Sequence, residues 1–256
     1  MGRLDGKVAV IIGASGTGSM GQQTARRMAE EGAKVVVAAR RAEPLEALAA
    51  DIGGTAIACD ISDEDQVAAV AQCAIDTYGG LDIAVNFAGI NVQGPIGMID
   101  AAQMKDAIDI HFVGSVLFIK HMANAMAERG GGSVITTSTL TATLGSPGMA
   151  AYAGTKAGVD NIGRIAASEY GKANVKVNSI TPGLVRSEMT EGVFAQMPNV
   201  AAAFEKETRL PRLGTIDDIA NLCVFLGSDE SFISAQNIQV NGGADMGKAP
   251  GPEDFA

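Results

Sequence analysis

Tyr152 and Lys156 lie four residues apart in Tyr152-Ala153-Gly154-Thr155-Lys156, and a hydroxyl pair, Ser138-Thr139, stands thirteen to fourteen residues upstream. These are the parts of a proton-transfer device. A free phenol titrates near pH ~10, too high for a base at neutral pH. Spacing of i to i+4 puts both side chains on one helix face. An ammonium one turn away favours the phenolate and lowers its pKa. The phenol could then exchange a proton with a carbonyl oxygen as it becomes an alcohol.

Positioning these groups falls to short apolar runs that alternate with longer amphipathic ones. The strand candidates are Val8–Ile12, Lys34–Ala39, Thr55–Cys59, Ile83–Asn86, Ser133–Thr137, Lys176–Ile180 and Asn237–Val240. Most are continuous β-branched or aliphatic stretches, as strands covered on both faces are. Helix-length segments lie between them: Gly21–Glu31, Pro44–Ile52, Glu64–Tyr78, Ala101–Glu128, Ala151–Tyr170 and Ile216–Leu226. Asp63 reads as the N-cap of the third. Repeated strand-helix alternation predicts right-handed crossovers. The expectation is an α/β, Rossmann-like doubly wound sheet of seven mostly parallel strands with helices on both faces. Residues 1–256 read as one domain. The stretch 190–214, rich in Met, Phe and Pro, breaks the rhythm and reads as an irregular substrate flap. Residues 247–256 are expected to form a mobile tail.

Val8–Ile12 runs into Gly13-Ala14-Ser15-Gly16-Thr17-Gly18-Ser19-Met20-Gly21, and a helix follows. A glycine-rich turn between strand and helix exposes N–H groups where the helix dipole favours an anion, which suits a pyrophosphate. Gly16-x-Gly18-x-x-Gly21 matches the dinucleotide fingerprint in the context it requires. The second strand ends uncharged at Ala39, and Arg40 and Arg41 follow. An acidic residue there would bind a ribose 2′-hydroxyl, whereas arginine accommodates a 2′-phosphate, so NADP(H) is favoured over NAD(H). Asp60 could accept from the adenine amino group, and Gly89 would let the backbone approach the cofactor.

Composition excludes several classes. A net charge of −10 argues against nucleic acid or an anionic membrane as partner. Cys59, Cys73 and Cys223 are widely separated and His111 and His121 stand ten apart, so neither a disulfide framework nor a metal cluster is expected. A reducing, cytoplasmic setting fits. No run reaches transmembrane length.

Taken in order, the glycine loop, Cys59-Asp60, Asn86-Phe87-Ala88-Gly89, Ser138/Thr139, Tyr152-x-x-x-Lys156, Pro182-Gly183, Arg212-Leu213-Gly214 and Val240-Asn241-Gly242-Gly243 resemble the single-domain short-chain dehydrogenases/reductases from Leu4 to Gly243. The resemblance implies that Tyr152 exchanges the proton, while Lys156 lowers its pKa and holds the nicotinamide ribose. It places the catalytic hydroxyl at Thr139, with Ser138 the alternative. Val185 and Ser187 fall where the family contacts the nicotinamide carboxamide. Gly13, Ser15, Gly18, Ser19, Met20, Gly21, Arg40, Arg41, Asp60, Ile61, Asn86, Ala88, Gly89, Pro182 and Gly183 complete the expected cofactor site, together with Tyr152 and Lys156.

The chain departs from the family at three points. Two extra residues sit in the glycine loop, with Ser19 in place of a glycine, a spacing similar to enoyl-acyl-carrier-protein reductases. Those place six residues between tyrosine and lysine, whereas this chain has three, so carbonyl chemistry is favoured. Phe87 replaces the usual second asparagine. His111 stands at the family's helix-bending asparagine, which holds a relay water, and an imidazole could carry protons in that relay.

The expected reaction is reversible hydride transfer between NADP(H) and a ketone or secondary alcohol, with Tyr152 serving the oxygen. Leu140, Met149, Leu184 and Met189, with Val92, Ile96, Met98, Phe194 and Met197, would wall the substrate pocket. Arg186 is the only charge near them, so an uncharged, fairly hydrophobic substrate is expected. The helices over 101–128 and 151–170 would, by resemblance, pair between subunits in a homotetramer or a dimer. The alternatives are an enoyl reductase, a cofactor-recycling epimerase or lyase, and an NADP(H) sensor without turnover.

Overall fold

The computed structural model describes residues 2–251, 254 and 255. Strands β1 (Val8–Ile12), β2 (Lys34–Ala39), β3 (Thr55–Ala58), β4 (Ile83–Asn86), β5 (Gly132–Thr137), β6 (Val175–Pro182) and β7 (Asn237–Val240) form one sheet. Their order is β3-β2-β1-β4-β5-β6-β7, and every pair is parallel. The helices are α1 (Met20–Glu30), α2 (Ala42–Ile52), α3 (Glu64–Tyr78), α4 (Ala101–Ala107), α5 (Gly114–Arg129), α6 (Ala150–Tyr170), α7 (Glu188–Gln196), α8 (Val200–Glu207) and α9 (Ile216–Gly227).

Side chains alternate across a strand, so the continuous apolar runs feed two cores at once. Ala9, Ile11, Val35 and Val37 pack with Met28 of α1, Leu45 of α2 and Cys223 of α9. Val8, Val10, Ile12 and Val36 turn the other way, onto Val70 of α3, Phe118 and Met122 of α5 and Ala166 of α6. Each large side chain so buried contributes about 1.5–3 kcal/mol. This two-sided burial is why the strands lack polar alternation.

Local signals set the ends of α3. The Asp63 carboxylate accepts from Gln66 N at 3.1 Å, Glu64 and Asp65 complement the dipole, and Gly79 takes the left-handed conformation at φ +84°.

The structure corrects three expectations. The single helix expected over 101–128 is interrupted by a π-helical turn, Ile108–Val113, between α4 and α5. A π turn widens the i→i+4 hydrogen bonding to i→i+5 and has no residue-type signature, so sequence reading misses it. The stretch 190–214 is not irregular: it holds most of α7 and all of α8. Lastly, the expected mobile tail packs on α8 where it is described. Lys248 N donates to the Glu207 carboxylate at 3.2 Å and Phe255 stacks on Phe204. Among the described residues no helix is long and apolar enough to cross a membrane.

Replacing Asp63 with alanine removes the α3 cap and should lower unfolding free energy by about 1 kcal/mol. Urea denaturation at neutral pH measures it, and an unchanged midpoint would show that the cap contributes nothing.

Candidate active site

Parallel pairing brings the carboxyl ends of all seven strands to one edge, and the strand order reverses between β1 and β4. A crevice belongs at that switch point. A cleft of about 690 Å³ opens there, lined by the turns after β1, β2, β3 and β4 and by the start of α7.

The turn after β1 has its shape because Gly13 carries no side chain. At φ +89°, a Cβ there would lie 2.6 Å from Ala88 N and from Phe87 C. The backbone of β1 thus passes against the end of β4, and the N-terminus of α1 faces the cleft. The Ser19 side chain caps α1 by accepting from Gln22 N at 3.2 Å. At the far end, Arg40 and Arg41 follow β2 and Asp60 follows β3. Hydrogen bonds from Ser62 hold the Asp60 carboxyl below its ordinary pKa. A cleft lined by the start of α1 and by the residues after β2 and β3 fits a dinucleotide.

Most of the cofactor residues expected from the sequence line this cleft. Gly13, Ser15, Ser19, Met20, Gly21, Arg40, Arg41, Asp60, Ile61, Ala88, Gly89 and Ser187 do so. Gly18 is not among its lining residues, and Asn86 is buried beneath it. The Asn86 side chain accepts from Ala88 N at 2.9 Å and donates to Ser115 Oγ at 3.3 Å, so it shapes the turn from behind. Pro182 ends β6, Gly183 packs on Asn241, and Val185 is buried in a parallel bridge to Gly214. Gly16 of the expected glycine fingerprint lines it too, and sequence reasoning missed Ile90, Asn91, Ile110 and Glu188. No local motif marks these positions; only the fold brings them here.

Beyond Gly89 lie the hydroxyls. The Thr139 hydroxyl lies near enough to the Tyr152 phenol to act on its pKa, and it accepts from Thr141 N at 3.3 Å. Ser138 faces elsewhere, donating to Asp160 Oδ2 at 2.6 Å. That carboxylate also accepts from Ser179 Oγ at 2.6 Å and from Asn237 Nδ2 at 2.7 Å, tying β5, β6 and β7 to α6. Of the two candidate hydroxyls, Thr139 therefore stands at the phenol and Ser138 is engaged in the scaffold. Lys156 is 5% exposed, and its ammonium donates to the Thr137 carbonyl at 2.8 Å. Burial pulls its pKa down to about 8, against the opposing pull of Asp160.

The expected lowering of the phenol by this ammonium is corrected here. Burial raises the Tyr152 pKa above its ordinary value, and the nearby Thr139 hydroxyl opposes the rise. The Lys156 ammonium is turned to a backbone carbonyl, and desolvation outweighs what remains.

His111 is fully buried in the π turn, edge-on to the Tyr152 ring with centroids 5.2 Å apart. Its Nε2 accepts from Ile90 N at 2.9 Å, so that nitrogen carries no proton. Nδ1 must then hold the ring proton and donate to Thr155 Oγ1 at 3.0 Å. Thr155 in turn donates to the Ala151 and Tyr152 carbonyls at 3.0 and 2.9 Å. Burial, and then the Lys156 charge, lower the imidazole pKa to about 3. Both nitrogens are engaged and the ring is neutral, so the expected proton relay through His111 finds no free nitrogen for a water.

Of the expected substrate walls, Met189 lines the cleft and Leu140 is 6% exposed. Met149 and Leu184 are half-buried. Val92 packs with Ala107 and Ala151, and Phe194 lies under the Arg186 guanidinium, 4.1 Å from its ring centroid. Ile96 and Met98 are about four-fifths exposed and wall nothing in this structure.

Comparison with known proteins agrees with this geometry. A family model described as enoyl-(acyl carrier protein) reductase matches residues 13–245. The mitochondrial borneol dehydrogenase of Lavandula x intermedia is 33% identical over 95% of this chain and 92% of its own. The 3-oxoacyl-[acyl-carrier-protein] reductase FabG of Staphylococcus aureus is 32% identical over 94% of this chain and 98% of its own. Among solved structures, a short-chain type dehydrogenase/reductase from Mycobacterium ulcerans superposes with a TM-score of 0.91 at 29% identity, covering 96% of this chain and 92% of that one. With the sheet order, the dinucleotide-shaped cleft and the tyrosine and lysine beside it, these matches identify the chain as a member of the short-chain dehydrogenase/reductase family, an oxidoreductase of alcohols and their carbonyl counterparts that uses NAD(P)(H).

Proposed function

We propose that the chain is a single catalytic domain that reduces an uncharged, fairly hydrophobic ketone, or oxidises the matching secondary alcohol, with NADP(H) preferred. The observation that carries this reading is the Thr139 hydroxyl beside the Tyr152 phenol, with the buried Lys156 ammonium donating to the Thr137 carbonyl two residues before Thr139. A Cβ placed on Gly89, which lines the cleft, would lie 4.0 Å from Lys156 Nζ, so the ammonium is close to the cleft wall.

The nicotinamide, when bound, supplies or accepts the hydride. In reduction the Tyr152 phenol donates its proton to the carbonyl oxygen, and the Thr139 hydroxyl holds that oxygen as charge develops on it. Gly13, Ser19 and Gly21 would seat the pyrophosphate and Asp60 the adenine, with Val185 and Ser187 beside the carboxamide. Arg40 and Arg41, following an uncharged β2 end, support 2′-phosphate recognition. Three-residue spacing between Tyr152 and Lys156 favours carbonyl chemistry over the enoyl reduction named by the family model.

We assign His111 a positioning role in place of the relay. Its ring joins the turn after β4 to Thr155 of α6, three residues beyond Tyr152. Exposed apolar side chains at Phe112, Val116 and Ile165 support a homotetramer built on α5 and α6, or a dimer. A cytoplasmic setting suits three cysteines that are free in the described structure.

Following absorbance of reduced nicotinamide with ketones, secondary alcohols and an enoyl thioester tests the reaction. Consumption with the thioester alone would replace carbonyl reduction by enoyl reduction. Product without consumption would support an epimerase, and binding without product a sensor. Tyr152→Phe should lower kcat at least about hundredfold while the dinucleotide still binds. Thr139→Ala should lower kcat, whereas Ser138→Ala should act mainly on the melting temperature; the opposite pattern would transfer the role to Ser138. Arg40→Ala should weaken NADP(H) binding more than NAD(H) binding, and equal losses would remove the cofactor preference.

His111 supplies a pH prediction. Its folded pKa of about 3 lies below the ordinary 6.5, so below pH 6.5 the unfolded chain binds a proton that the folded chain excludes. Stability from this group is full above pH 6.5 and falls as pH drops toward 3. The loss between pH 7 and 4.5 is on the order of 2–3 kcal/mol. His111→Asn should flatten that part of the urea-denaturation profile; an unaltered slope would mean the imidazole titrates normally.

A further inference from the structure

Glu188 is the first residue of α7, and it reaches across the mouth of the cleft to the end of β2. Its two carboxylate oxygens accept from Arg41 Nη1 at 3.0 Å and Arg41 Nη2 at 3.1 Å, a bidentate pair. Arg41 also donates from Nε to Ser15 Oγ at 3.2 Å and from Nη2 to Ser15 O at 3.1 Å. A guanidinium has five N–H groups, and these contacts use four of them. The seat of Glu188 is built as well. Gly16 makes room, since a Cβ there would lie 2.5 Å from Glu188 Oε2. Arg41 first, and the Thr17 backbone N–H to a smaller extent, hold the Glu188 carboxyl below its ordinary pKa.

Two arginines after β2 suggest two cations for a 2′-phosphate, but Arg41 is already neutralised and fixed. A phosphate arriving there would displace Glu188 or lie against its negative charge. Both side chains of the pair remain about half exposed, at 55% and 44%. Such a pair is worth no more than about 1 kcal/mol, enough to weaken a competing phosphate contact several-fold and not enough to forbid it.

We infer that Glu188 is a cofactor-discriminating residue: by holding Arg41 in a bidentate ion pair it withholds that guanidinium from the 2′-phosphate of NADP(H) and narrows the margin over NAD(H). The inference rests on the proposed placement of the adenosine ribose beside Arg40 and Arg41. The preference for NADP(H) is then carried by Arg40, with Glu188 setting how large it grows.

Titration calorimetry of NADPH and NADH against the wild type and Glu188→Gln tests this. Freeing Arg41 should tighten NADPH about fivefold, the scale of one partly solvated charged contact, and move NADH less than about twofold. In an Arg41→Ala background the same substitution should leave the NADPH to NADH ratio of Kd unchanged. Glu188→Ala repeats the comparison should the glutamine variant fold poorly. An unmoved ratio in the wild-type background would overturn the inference, and so would equal weakening of both dinucleotides, which would make Glu188 a clamp on the glycine loop. The wild-type ratio alone reports on the proposed NADP(H) preference. A reversal of that ratio would refute the preference while the change on substitution still reports on Glu188.

Discussion

The close passage of the β1–α1 turn against the end of β4 is the constraint on which the cleft depends. Gly13 sits where any side chain would collide with the Phe87–Ala88 peptide. The contact holds two neighbouring strand ends at one height and lets the first helix aim its free N–H groups along the crevice. Asn86 secures the other side by accepting from Ala88 N, and His111 by accepting from Ile90 N. One chain of contacts thus runs from the glycine loop through the turn after β4 to His111, edge-on to the Tyr152 ring. The proton-handling groups need no motif linking them to the glycine loop, because the sheet edge supplies the link.

Much of this was legible in the sequence, and the reasons are local. The run Val8–Ile12 has the bounds expected because a continuous apolar stretch ends at a glycine-rich turn, where Gly13 takes φ +89°. The bounds of α3 follow from Asp63 before it and Gly79 after it. The glycine loop and the two arginines could be placed because strand and helix flank them in the required order. What was not legible depends on partners far along the chain. Ser138 and Thr139 are chemically alike and adjacent, and only Asp160, brought up by α6, separates them. Glu188 meets Arg41 across 147 positions. The direction of the Tyr152 pKa depends on how dry its surroundings are, which spacing does not report.

His111 illustrates how one substitution changes the character of a site without changing its shape. An imidazole buried with both nitrogens satisfied is rigid, neutral and hard to protonate. It fixes the approach of the turn after β4 to α6 and allows the π turn that brings it there. The same burial that makes it a good strut removes it from proton traffic. Position and proton transfer are separable duties, and the proposed role of this residue is the first.

Burial of Lys156 also bears on how rates in the two directions should be compared. With a pKa of about 8, its amine changes charge between a neutral and an alkaline buffer. Ketone reduction followed at neutral pH and alcohol oxidation followed in alkali would sample two differently charged crevices. A Haldane relation assembled from such a pair of assays would mix two protonation states, so thermodynamic consistency between forward and reverse constants requires both to be taken in one buffer.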